Sequence, residues 1–168
     1  MDGAAGALDE VKRIVTQLRS RWPKVRIVLR GDSGFCREEL MAWCEADENR
    51  VDYLFGLARN SRLQKIIGKP MHEARLEHAA TGKAARVFAE FNYQTRKSWA
   101  RPRRVVAKAE YLDKGENPRF VVTSLGADEW AARELYERFY CQRGEMENRI
   151  KEFAAANACS PIGYRRKR

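Results

Sequence analysis

Five residues carry the chemistry that this sequence offers. Tyr140, Arg143, Glu147 and Lys151 stand at i, i+3, i+7 and i+11. At about 100° per residue they fall in one narrow stripe of a helix. Leu135, Phe139, Met146, Ile150 and Phe153 form an adjoining stripe that can face a core. One helix thus offers an apolar seat and a row with a phenol, a guanidinium, a carboxylate and an amine. The fifth residue is Asp32, inside Arg30-Gly31-Asp32-Ser33-Gly34-Phe35. It follows a short apolar run and precedes a helical pattern, and open α/β sheets place ligands at such strand ends. Flanking glycines let a backbone or a phosphate come close, and a carboxylate there can hold a divalent cation. Taken singly, each has a plainer reading. Glu147–Lys151 is an ordinary i, i+4 ion pair, and Asp32 is a turn former or a helix cap.

The elements that position these groups are legible from periodicity. Leu8, Val11, Ile14, Val15, Leu18 and Trp22 recur at helical spacing, so a helix is expected over 8–21, stopped by Pro23. Val25–Leu29 and Val51–Leu57 read as strands, with a helix at 36–46 between them. The order helix, strand, helix, strand implies a parallel sheet covered by helices. Residues 60–80 read as helical pieces, with Lys69-Pro70 as a break. From 86 to 124 the texture changes to three strands, VFAEFNYQ, RRVVAKAEYL and RFVVTSL, with DKGENP as a turn. Helix is expected again from Asp128 to about Ala156.

Charge points to a polyanion. The 168 residues hold 33 basic and 23 acidic side chains, a net charge of +10. Arg96, Lys97, Arg101, Arg103, Arg104 and Lys108 lie in a stretch without an acid, and Arg165, Arg166, Lys167 and Arg168 form the tail. Removing these ten leaves 23 against 23, so two patches hold the whole excess. That distribution is a nucleic-acid footprint. No run of 18 apolar residues predicts a membrane span, and no secretory signal is evident, so the expected place is the cytoplasm. Four cysteines without a CxxC pair read as reduced thiols, not as a zinc ribbon. His72 and His78 fall on different helix faces, and Ser33 lacks a GxSxG frame.

RIVLRGDSGFCREELMAWCE, VDYLFGLARNSRL, NPRFVVTSL and YERFYCQRGEMENRIKE together resemble the catalytic region of bacterial insertion-sequence transposases of the DDE type. The likeness is to the group with a Tyr–Arg–Glu–Lys signature on its last catalytic helix, and runs from about Arg26 to Glu152. It implies an α/β ribonuclease-H-like sheet flanked by helices, with a small antiparallel β insertion before the last helix. Asp32 then matches the second catalytic aspartate and Glu147 the catalytic glutamate, together holding Mg²⁺ or Mn²⁺. Tyr140 and Arg143 match the first two signature residues. In such enzymes two ions about 3.5–4 Å apart activate the attacking oxygen and stabilise the leaving one. Arg143 would grip a phosphate and Tyr140 would bond or stack at the DNA end. Lys151, Arg101, Arg103 and Arg104 complete the expected DNA-binding set.

The sequence also departs from the pattern. The family's first aspartate lies on a strand upstream of the match, and neither Asp2 nor Asp9 sits in a strand context. The signature lysine falls at Ala154, and the resemblance ends after Glu152. The expectation is therefore a truncated, incomplete domain: 1–60 and 126–156 catalytic, 61–125 the insertion, 157–168 a disordered basic tail. DNA is the expected partner, with self-association at an open sheet edge, nucleoid association, and no small-molecule substrate. Strand cleavage and transfer by this chain alone is not expected. A non-catalytic DNA-binding module and a fragment docking on an intact transposase are the alternatives.

Overall fold

The computed structural model describes residues 6–141. Helix α1 (Ala7–Arg21) carries Asp9 and Glu10 in its first turn and Arg19 and Arg21 in its last, charges that suit the helix dipole. Its apolar stripe of Leu8, Val11, Val15 and Leu18 seats it on the core. Strand β1 (Ile27–Gly31) follows two residues later than the sequence suggests, then α2 (Glu38–Glu45) and β2 (Val51–Leu57). Two short helices, α3 (Ser61–Ile66) and α4 (Gly68–Thr81), meet at Ile67. Pro70 lies in the first turn of α4, where no intrahelical donor is needed. The break therefore falls before Lys69-Pro70. Strands β3 (Ala85–Tyr93), β4 (Arg103–Leu112), the two-residue β5 (Gly115–Glu116) and β6 (Arg119–Thr123) come next. Helix α5 (Ala132–Glu134) runs on directly as a π-helical turn, Leu135–Tyr140.

The strands form one six-stranded mixed sheet in the order β1-β2-β6-β4-β3, with β5 beside β4. β1 and β2 are parallel, from Ile27 opposite Val51 to Gly31 opposite Phe55. β6 joins β2 antiparallel, with Leu57 opposite Phe120, so the strands at 85–123 continue the sheet that holds β1. This is the mixed α/β sheet expected of a ribonuclease-H-like fragment. Side chains alternate across it. Tyr53, Phe55, Val105, Ala107, Phe120 and Val122 join one core cluster, roofed by α1, α2 and α4. Leu54, Val106, Val121, Leu125, Leu135 and Tyr136 form the other, under α5 and the π turn. β2 is covered on both faces, which is why it reads as an apolar run from Tyr53 onward, with only Asp52 polar.

The cations at 101–104 meet acids in the fold. Arg103 is 4% exposed. It donates to Glu45 Oε1 at 2.7 Å and to Glu38 Oε2 at 2.6 Å, with its guanidinium 5.4 Å from the Trp99 ring centre. Arg101 donates to Glu45 Oε2 at 2.6 Å. Arg104 is paired with Glu90 and donates to the carbonyls of Leu125, Gly126 and Trp130. The acid-free window in the sequence therefore meets its acids in space, because α2 and β3 deliver them. Trp99 is itself buried against Tyr93, so it offers no base-stacking platform. Arg96 and Lys97 remain exposed on the β3–β4 loop.

Candidate active site

Asp32 is the first residue beyond β1. Its Oδ1 accepts the Gly34 N–H at 2.8 Å, which closes a tight turn and leaves the side chain exposed at the sheet's end. The neighbouring strand comes very close at this point. A methyl group on Gly56 of β2 would lie 2.7 Å from the Tyr140 hydroxyl, 3.2 Å from the Ser33 nitrogen and 3.3 Å from the Asp32 carbonyl carbon. A glycine inside an apolar strand is the signal for such a close approach. Here it lets the Tyr140 hydroxyl reach the turn that carries Asp32.

The π turn is held in place by its own contacts. Arg30, half-buried on β1, donates through Nη1 to the Phe139 carbonyl at 2.6 Å. Trp130 and Phe139 stack with ring centres 5.1 Å apart, and Tyr136 lies 5.5 Å from Tyr140. Burial pushes the Tyr136 hydroxyl above its ordinary pKa, so it stays a neutral phenol. A π turn widens the helix by one residue, and such turns recur at functional sites. Here the widened turn carries Tyr140 over Gly56.

Asp32, Gly56, Arg59, Arg119, Tyr136 and Tyr140 line a cleft of about 470 Å³. A larger groove of about 1050 Å³ lies at the opposite end of the strands. Arg26, Arg101, Arg103 and Arg104 line it, but they are engaged by Asp52 and Glu129, by Glu45, by Glu38 and Glu45, and by Glu90. The cleft, by contrast, holds Asp32 and Tyr140 together with exposed cations.

Of the residues singled out in the sequence, Asp32 and Tyr140 are brought together here. Arg143, Glu147, Lys151, Ala154 and the basic tail lie outside the described residues. Sequence reasoning missed Gly56, Arg59 and Arg119. The thiols of Cys36 and Cys44 are pushed up by burial to about 11 and about 12, so neither is a nucleophile at neutral pH. The Asp32 carboxylate is the right donor type for a hard divalent cation. Alone it is one ligand, and among the described residues no group of three His, Cys, Asp or Glu could hold a metal ion. Among the same residues no helix is long and apolar enough to cross a membrane.

The chain matches the family model described as transposase DDE domain group 1 over residues 1–160. No curated protein and no solved structure matches it. The family match covers β1, the Asp32 turn, the whole mixed sheet and the segment carrying Tyr140 and Glu147, so the chain belongs to the DDE transposase domain family.

Proposed function

We propose that the Asp32 cleft is where this transposase domain handles the DNA strand to be cut, with Asp32 and Glu147 as paired carboxylates for Mg²⁺ or Mn²⁺. Membership of the family already implies transposase-type function, DNA binding and use of a divalent metal in general terms. The observation that carries the finer reading is the convergence of Asp32 and Tyr140 on one cleft. They stand on elements more than a hundred residues apart in sequence, and a structural turn former would need no such partner.

The divalent cation, when bound, supplies activation of the attacking oxygen and stabilisation of the leaving one. The protein's own part is positional. The turn closed by the Gly34 N–H presents Asp32 outward. Tyr140, carried by the π turn, offers a hydroxyl beside it for a phosphate or a DNA end. Arg143, three residues further along the sequence, supplies a bidentate grip on phosphate in this reading. The family's first aspartate has no counterpart in these 168 residues in this reading, so cleavage needs a further carboxylate.

The test is a nicking assay on duplex DNA with Mg²⁺ or Mn²⁺. The chain alone is expected to leave the DNA intact. Each 1.36 kcal/mol of lost transition-state stabilisation is about tenfold in rate. Robust nicking, abolished by Glu147→Gln, would show that another carboxylate completes the set. A DNA-binding module without chemistry is the second reading, and the single carboxylate lining the described cleft favours it. Metal-independent DNA binding, unchanged by Asp32→Asn, would support that reading.

A further inference from the structure

Two cations in the Asp32 cleft are left unused by the fold. Arg59 lies two residues beyond the end of β2, and Arg119 opens β6. Leu57 pairs with Phe120, so the register sets position 58 opposite Arg119. Both arginines therefore leave the same end of two adjacent strands. It is also the Asp32 end, because Gly31 pairs with Phe55 and Asp32 stands level with Gly56. Both are exposed, and among the described residues neither guanidinium makes a hydrogen bond or an ion pair. By contrast Arg26, Arg86, Arg101, Arg103 and Arg104 are each paired with an acid. Two cations beside a carboxylate suit an anion that the carboxylate alone would repel.

We propose that Arg59 and Arg119 form a phosphate clamp that holds the DNA backbone beside Asp32. This rests on the reading of the cleft as the DNA-handling site and adds residues that the sequence did not single out. A guanidinium binds phosphate oxygens through two parallel charge-assisted bonds. Two of them on neighbouring strands track a backbone and fix its register against Asp32. The contacts go to phosphate, so they position DNA without reading its sequence.

The test is a salt titration of binding between the 168-residue chain and a short mixed-sequence duplex, without divalent metal, by fluorescence anisotropy. Arg59→Gln and Arg119→Gln should each weaken binding and flatten the log–log salt slope by about 0.9, and the double variant by about twice that. Arg59→Lys and Arg119→Lys should restore the slope. Thermal melts should match wild type, since both side chains are exposed. Asp32→Asn is run in parallel and should tighten binding by removing a negative charge from the DNA's path. If Asp32→Asn tightens binding while the arginine variants keep affinity and slope, DNA uses the cleft and the clamp is wrong. If none of the variants changes binding, DNA does not use the cleft and both readings fall.

Discussion

The Tyr140 hydroxyl lies over Gly56, against the turn that carries Asp32, so closely that no side chain fits between them. Gly56 is therefore a spacer whose absent side chain joins two parts of one cleft. Gly56→Ala should retain the fold, because the nearest atom is the far end of a tyrosine that can swing aside. The expected cost is about 1–3 kcal/mol, the range for overpacking. In a Tyr140→Phe background, which removes the clashing oxygen, the cost should shrink by at least about 0.5 kcal/mol, the usual coupling of touching residues. Additive costs in a denaturation double-mutant cycle would contradict the contact.

Arg30 fixes the π turn from the strand below, through its bond to the Phe139 carbonyl. Arg30→Met keeps the apolar stem and removes the charged donor. Hydrogen bonds to charged groups are worth about 1.5–3 kcal/mol. The Cys141 amide, which donates to the Tyr136 carbonyl at 3.0 Å, should then exchange about ten- to a hundredfold faster. Unchanged exchange at that amide would show that aromatic stacking alone holds the turn.

The buried arginine network predicts a pH dependence. Burial alone would raise the Glu45 carboxyl, but hydrogen bonds from Arg103, Tyr53 and Arg101 outweigh it and hold it below its ordinary value of 4.5. Hydrogen bonding from Arg103 lowers Glu38 likewise. Carboxylates held low in the folded state stabilise it above about 4.5, and that contribution is lost as pH falls through their folded values. Arg103→Met, which leaves Glu45 buried without its main partner, should cost about 3–5 kcal/mol at pH 7. The gap from wild type should narrow below pH 4.5. A constant gap from pH 7 to pH 3.5 would mean that packing of Arg103 on Trp99 matters more than its charge.

β1 has β2 on one side and no partner on the other among the described residues. Open edges invite pairing with another chain. Light scattering after size exclusion should give a mass above the 19.4 kDa of one chain. Val28→Lys, a charge on that half-buried edge strand, should return it towards monomer. A clean wild-type monomer would show that the edge is covered.

The sequence was readable where one window contains the whole cause. Val51–Leu57 reads as a buried strand because both its faces meet apolar layers, and the 7-residue run itself says so. The Asp32 turn was legible from its glycines and the apolar run before it. In the basic stretch a linear window cannot show that Glu38 and Glu45, on α2, fold onto Arg101 and Arg103. Arg59 and Arg119 were invisible for the converse reason. Each is a lone cation at a strand end, and only the β2–β6 register brings them side by side. Gly56 carried a usable signal, a glycine inside an apolar run, but its partner Tyr140 arrives from the far end of the chain.

The central claim is that Asp32 and Glu147 serve one divalent cation in the DNA-bound chain. Manganese uptake measures this directly and needs no turnover. Electron paramagnetic resonance of Mn²⁺ titrated into the chain with duplex DNA should show bound ion in the wild type. Asp32→Asn and Glu147→Gln should each weaken uptake by about tenfold or more, a loss of at least about 1.4 kcal/mol, while circular dichroism stays unchanged. Uptake that is equal in the wild type and both variants would contradict the account.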